Sequence, residues 1–259
     1  GLTTAGQAAL QIPAGTPFVY GAFGGAASNI GMGAVDESTA AIAIGTSAAV
    51  RVMTDHPVID PQQRLFCYAL DEEHWVIGGP LNNGGDVYQW AAKHLVDANA
   101  VASEQVDAFQ LANQVIEGVP AGSHGLIFHP FLGGERAPIW DANARGSFFG
   151  LNQLHTRADM LRAVMEGITM NVGSVFEIVR DLVGDPKQIM ASGGFTDSLV
   201  WRQMLADVIG FPVGVAMAHG GCCLGAAAIA LKSLGRISDY SEVTPLLAQP
   251  ETYIPSKNC

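Results

Sequence analysis

Charge is scarce in this chain, and what there is has mostly one sign. Only 14% of its 259 residues are charged, and 13 Lys and Arg stand against 24 Asp and Glu, a formal net charge of −11. The basic residues are scattered without a run. That excludes the cationic patch a nucleic-acid backbone requires. It does not exclude a mononucleotide, which backbone amides and a metal ion can hold. Long apolar runs are missing too: Gly or polar residues interrupt each one short of a membrane span. No signal-peptide pattern opens at Gly1. The expectation is a soluble, cytoplasmic protein with neither nucleic acid nor membrane as partner.

Cysteine is rare. Cys67, Cys222, Cys223 and Cys259 form no CxxC pair, and the seven histidines form no HxxxH-type pair. A zinc site needs better-spaced ligands. The cysteines read as buried thiols in a reducing compartment. Internal repeats, low-complexity segments and a dividing linker are absent as well.

Apolar residues, at 49%, and 31 glycines make up much of the rest. This is enough to bury a sizeable core. The glycines fall in three informative clusters. Gly193-Gly194 lies between a strand-like run, Gln188 to Ser192, and a helix in which Val200, Met204, Leu205, Val208 and Ile209 recur at helical spacing. A strand, a glycine turn and a helix start expose main-chain N–H groups to a base or phosphate. Ile42 to Val50 reads as two apolar strands joined at Gly45-Thr46-Ser47, whose tip offers N–H and O–H donors. Asn82-Asn83-Gly84-Gly85 precedes a helical pattern at Val87, Trp90, Ala91, His94 and Leu95. One nucleotide site explains three such loops more economically than three unrelated turns.

Further elements follow from periodicity. Strands are expected at Phe18–Ala22, Thr39–Gly45 and Ala48–Met53, and a helix start near Gly25. Leu65–Leu70 and His74–Ile77 form a hairpin around Asp71 to Glu73. Helices are expected at Gly85–Asp97 and Val101–Ile116, and a long one at Arg157–Leu182 with a stripe at Leu161, Val164, Ile168, Val172, Val175 and Val179. A strand at Val213–Met217 and a helix at Cys222–Leu234 close the pattern, the latter small enough at Gly225 to Ala228 for close approach. Strands and helices mix throughout, so the class is α/β or α+β around one sheet. Trp90 and Trp201 sit at core positions. Glu135, Arg136, Asp141 and Arg145 form either an intraloop salt-bridge set or part of a cleft wall. Asp197 either caps the following helix or faces a ribose.

Gly193-Gly194-Phe-Thr-Asp-Ser-Leu-Val-Trp-Arg-Gln-Met-Leu-Ala-Asp207, followed by Gly225 to Ala228, resembles the C-terminal signature of the FGGY carbohydrate kinases. Gly134 to Trp140, Asn143 to Gly150 and Ile44 to Ala48 strengthen the likeness, which runs from Pro13 to Leu234 and is greatest to gluconate kinases. The resemblance implies a ribonuclease H-like α/β fold of the actin and sugar-kinase superfamily, a mixed central sheet with helices on both faces. It implies that residues 1–259 are one C-terminal, nucleotide-binding domain, with the N-terminal sugar-binding domain absent from this chain. ATP and Mg²⁺ are the implied cofactors, and a sugar or sugar acid the implied substrate. By motif, Thr46 would contact the phosphates, Gly85 and Gln89 would flank the nucleotide, and Gly194 and Ser198 would contact the adenosine. No metal ligand is assigned.

One position departs from the pattern. The family carries a general-base aspartate in a Gly-x-x-Asp-Gly stretch, and this chain reads Gly21-Ala-Phe-Gly24-Gly25. Gly24 cannot take a proton, so no catalytic residue is assigned. An engineered change, a natural loss or a shifted register would each explain it. Asp36 and Glu37 are nearest in sequence, in a turn expected to face solvent. The alternative reading is therefore a catalytically inactive nucleotide-binding module or partner subunit. A half-cleft would also expose an apolar face, which allows a homodimer.

Overall fold

A computed structural model of the chain describes residues 3–13, 15–96, 107–216 and 221–256. Its elements in order are α1 (Thr4–Leu10), α2 (Gly24–Gly31), β1 (Thr39–Ile44), β2 (Ala48–Thr54), β3 (Phe66–Ala69), β4 (Trp75–Leu81), α3 (Gly85–Leu95), α4 (Ala108–Ile116), β5 (Ile127–His129), β6 (Ser147–Phe149), α5 (Arg157–Val183), β7 (Gln188–Ser192), α6 (Leu199–Ile209), β8 (Val213–Val215), α7 (Gly221–Ser233) and β9 (Glu251–Tyr253). The expected helix residues at Asp97 and Val101, the strand residue Met217, and Cys259 lie outside the described residues.

Seven strands form one mixed sheet in the order β3-β4-β2-β1-β7-β8-β9, and β5-β6 is a separate hairpin. β1 pairs in parallel with β7, and β7 with β8; the remaining pairs are antiparallel. Strand alternation sorts the side chains into two layers. Ala40, Ile42, Ile44, Val50 and Val52 face a core shared with α3, α5 and α6, whereas Met53 and Val76 face α2 and α7. The sheet is thus covered on both faces, as the resemblance implies.

α5 is the main covering element. All six residues of its expected stripe are buried. Its start is fixed by a capping box in which Thr156 and Asp159 exchange side-chain-to-backbone hydrogen bonds. On the other face α2 and α7 cross closely, with Gly225 set directly against the Ala27 backbone.

Four expectations need correction. Residues 18–22 form no strand; Phe18 and Tyr20 are 67% and 88% exposed, so no neighbouring strand completes their hydrogen bonds. Trp201 is fully buried, but Trp90 is 38% exposed because α3 turns that side away from the core. Cys222 and Cys223 are exposed free thiols and Cys67 is intermediate, since α7 buries Gly225, Ala228 and Ile229 instead. No ion pair joins Glu135, Arg136, Asp141 and Arg145 among the described residues. Instead Glu135 is buried and accepts hydrogen bonds from the Asn82 amide (2.6 Å) and the Asn83 (3.0 Å) and Asn171 (2.8 Å) side-chain amides. It ties the loop to β4 and α5.

Topology decides where the loops go. β1 and β7 run in parallel. β4 runs antiparallel to β2, which runs antiparallel to β1, so β4 points the same way as both. The C-terminal ends of β1, β4 and β7 therefore share one edge of the sheet, the edge where open α/β sheets commonly hold ligands.

Candidate nucleotide site

The three glycine loops leave that edge and meet. The Gly85 amide donates to the Gly45 carbonyl at 2.6 Å, and the Asp86 amide donates to the Thr46 carbonyl at 3.2 Å. These bonds stitch the β1–β2 tip to the start of α3. A Cβ on Gly85 would lie 2.8 Å from the Gly45 oxygen, so the close approach requires glycine. The Gly85 amide is consequently used within the protein; its part in the site is to bring two loops together.

Between the loops lies an open cavity of about 640 Å³, lined among others by Thr46, Gly85, Gln89 and Gly194. Four of the five residues singled out from sequence thus surround one space. Ser198 does not line it. Its side chain is buried and accepts from the Trp201 amide at 3.3 Å as the N-cap of α6. The cap is therefore Ser198 and not Asp197, which lines the cavity.

Donors remain for an anion. Gly194 opens a short 3-10 turn, Gly194–Asp197, whose first amides have no intrahelical carbonyl to bond. The N-terminus of α3 also faces the cavity and carries the positive end of its dipole. Its first-turn Asp86 uses one carboxylate oxygen for the Gly84 and Val87 amides, at 3.0 and 2.8 Å.

Sequence reasoning missed several lining residues. Lys93, Asp107 and Phe109 come from the facing sides of α3 and α4, and Trp201 forms part of the wall. No motif flags them, because their approach depends on how α3 and α4 pack. Trp201 is fixed there by its indole N–H, which donates to the Thr169 hydroxyl at 2.9 Å.

Elsewhere, folding brings Glu37 beside the adjacent pair Asp55-His56. Glu37, Asp55 and His56 come within 4.8 Å of one another, all exposed, at the opposite end of β2 from the cavity. His56 Nδ1 lies 2.6 Å from Asp55 and 3.6 Å from Glu37, so the three groups already satisfy each other. Asp36 and Glu37 lie exposed in the turn before β1, as expected.

The sequence profile of the "FGGY family of carbohydrate kinases, C-terminal domain" matches residues 40–234. This chain belongs to that family. A gluconokinase of Bacillus subtilis (strain 168) is 40% identical over 243 residues, which is 93% of this chain and 47% of that protein. A crystal structure described as gluconate kinase from Lactobacillus acidophilus superposes with a TM-score of 0.89 at 39% identity, covering 98% of this chain and 50% of the other. A ligand-bound xylulose kinase from the same organism matches with the same TM-score, identity and coverage. The chain thus spans about half the length of these relatives. Its fold is that of the sugar kinases. The named relatives are kinases, so they give no support to an inactive module.

Proposed function

We propose that this FGGY chain is the nucleotide-binding half of an ATP-dependent carbohydrate kinase, gluconate kinase-like, which transfers the γ-phosphate of ATP to a hydroxyl of a sugar or sugar acid. The observation that carries this reading is the convergence of three glycine loops on one cavity at the C-terminal ends of β1, β4 and β7. Phosphoryl transfer needs positioning and charge neutralisation more than covalent chemistry. The Thr46 hydroxyl suits the phosphates, Gly85 and Gln89 suit the flanks of the nucleotide, and the Gly194 turn with Phe109 suits the adenosine.

Mg²⁺ fits the donor set. Asp86, Asp107 and Asp197 on the cavity wall are hard oxygen donors. When bound with the nucleotide, the ion would neutralise phosphate charge. This chain's part is to orient the phosphates and keep them against the loop backbone. The acceptor sugar then lies in a cleft closed by a preceding half, in the cytoplasm.

Calorimetric titration of the 259-residue chain with ADP and Mg²⁺ tests the reading. Saturable heat that Thr46→Ala weakens supports it. A folded protein giving no heat at about millimolar nucleotide, the weak end of useful affinity, overturns it.

A further inference from the structure

Arg51 on β2 is a cation without a counter-ion. Its Nε is buried and has no hydrogen-bond partner, and its terminal amino groups bond no described residue. No ion pair includes it among the described residues. The guanidinium packs over Gly25 at the start of α2: a Cβ there would lie 2.7 Å from both Arg51 Cζ and the Phe23 ring. Arg136 stands close enough to act on it electrostatically, and its own Nε is likewise buried and unpartnered. Burial first, and then the Arg136 charge against an opposing pull from Cys222, lowers the Arg51 pKa from its ordinary value. Arginine stays protonated even so. Arg136 spends one terminal amino group on the Leu81 carbonyl at 3.0 Å, which leaves two neighbouring guanidinium groups each with an unpartnered Nε, a costly arrangement unless an anion completes it.

The place of this cation is informative. Arg51 alternates with Val50 and Val52, so it projects to the α2/α7 face of the sheet, whereas the nucleotide cavity opens towards α3 and α6. The Thr46 tip begins the same strand. Gly24, next in the chain to Gly25, is exposed and supplies no carboxylate. Beside it, Phe23 and Tyr68 lie ring to ring at 5.1 Å and are 38% and 48% exposed. A bare phosphate has no use for aromatic faces; the C–H side of a polyol chain does.

We infer that Arg51, with Arg136 nearby, forms an anion subsite for the carboxylate of a sugar-acid acceptor, with Phe23 and Tyr68 flanking its carbon chain. This rests on the kinase reading above and narrows the acceptor from sugars in general to aldonates. It also separates the two substrate names carried by the Lactobacillus acidophilus relatives, since xylulose has no carboxylate. An Arg fork suits a planar carboxylate, with two parallel N–H···O bonds.

The test uses the 259-residue chain and arginine Nε–Hε NMR. D-gluconate is compared with D-glucitol, which replaces the carboxylate by CH₂OH, and with inorganic phosphate. The expected result is that gluconate shifts the Arg51 Nε–Hε resonance saturably and glucitol does not. Arg51→Lys keeps the charge but loses the fork and, read by calorimetric titration with gluconate, weakens binding by about tenfold or more. Arg51→Met removes the uncompensated charge; it abolishes the calorimetric heat of gluconate binding while raising the thermal midpoint by about 2–4 °C. A purely structural arginine would instead lower that midpoint. Equal responses to gluconate and glucitol, a response to phosphate alone, or no response to gluconate each overturn the inference. ADP titration of the same samples reads the kinase proposal separately, so the two failures are distinguishable.

Discussion

Gly193 and Gly194 are neighbours that should fail in opposite ways. Gly193 has φ 115° and ψ −178°, a region open essentially to glycine alone. A Cβ there would also lie 2.6 Å from the Ile44 carbonyl carbon and 3.1 Å from the Gly45 amide nitrogen. Forcing a side chain into that backbone conformation costs about 1–3 kcal/mol. Pushing β7 off the β1 end adds about 1–3 kcal/mol of overpacking. Gly193→Ala should therefore lose about 2–6 kcal/mol, a large share of a typical total of roughly 5–15 kcal/mol. Gly194 has no positive φ, and nothing lies within 4 Å of a Cβ built on it. Gly194→Ala should leave stability within about 0.5 kcal/mol, because the methyl points into open space. That space is the cavity, so the same methyl should weaken ADP binding by about tenfold. Urea unfolding gives the first quantity and calorimetry the second. The reasoning is refuted if Gly193→Ala is neutral, or if both variants lose stability equally.

The remaining predictions are these. Asp60 is buried and held down at about 2, first by its bonds to Arg64 at 2.9 and 3.0 Å and then by the Arg64 and Gln62 amides. A depressed carboxylate contributes stability above its unfolded value near 3.8 and loses it as pH falls through about 2; Asp60→Asn should remove about 1–2 kcal/mol at neutral pH and flatten that acid limb in pH-dependent unfolding. Trp201→Phe deletes the bond to Thr169 and should cost about 1–3 kcal/mol by urea unfolding, since the Thr169 hydroxyl loses a buried partner. Gly24 stands in the first turn of α2 with open space around it. Gly24→Asp should stabilise the chain by about 0.3–1 kcal/mol through the helix dipole. In a protein carrying both halves it should raise phosphoryl transfer by about 10²–10⁴, the contribution of a placed general base, and no rise would remove position 24 from that role.

Legibility from sequence followed the range of the forces involved. The α5 stripe, the β1–β2 and β3–β4 hairpins and β7 came from local periodicity, because side chains three, four or two residues apart share a face whatever surrounds them. The segment at 18–22 had the apolar residues of a strand but no neighbour to pair with, and only the assembled sheet reveals that. Ser198 was read as a ligand contact because its motif matched; the structure uses its hydroxyl to cap α6. Lys93, Asp107 and Phe109 carry no pattern, and they reach the cavity only because α3 lies against α4.

The amino-acid order by itself determined that three glycine bends exist and that each can turn a strand towards a helix without a side chain in the way. It could not say that they meet. That depended on β1, β4 and β7 pointing in one direction within a single sheet, a result of pairing between residues far apart in the chain. The same long-range packing left the Arg51 guanidinium beside Arg136 without an acid to neutralise it. Charge balance around a buried group is set by what folding brings near, and no linear pattern encodes it.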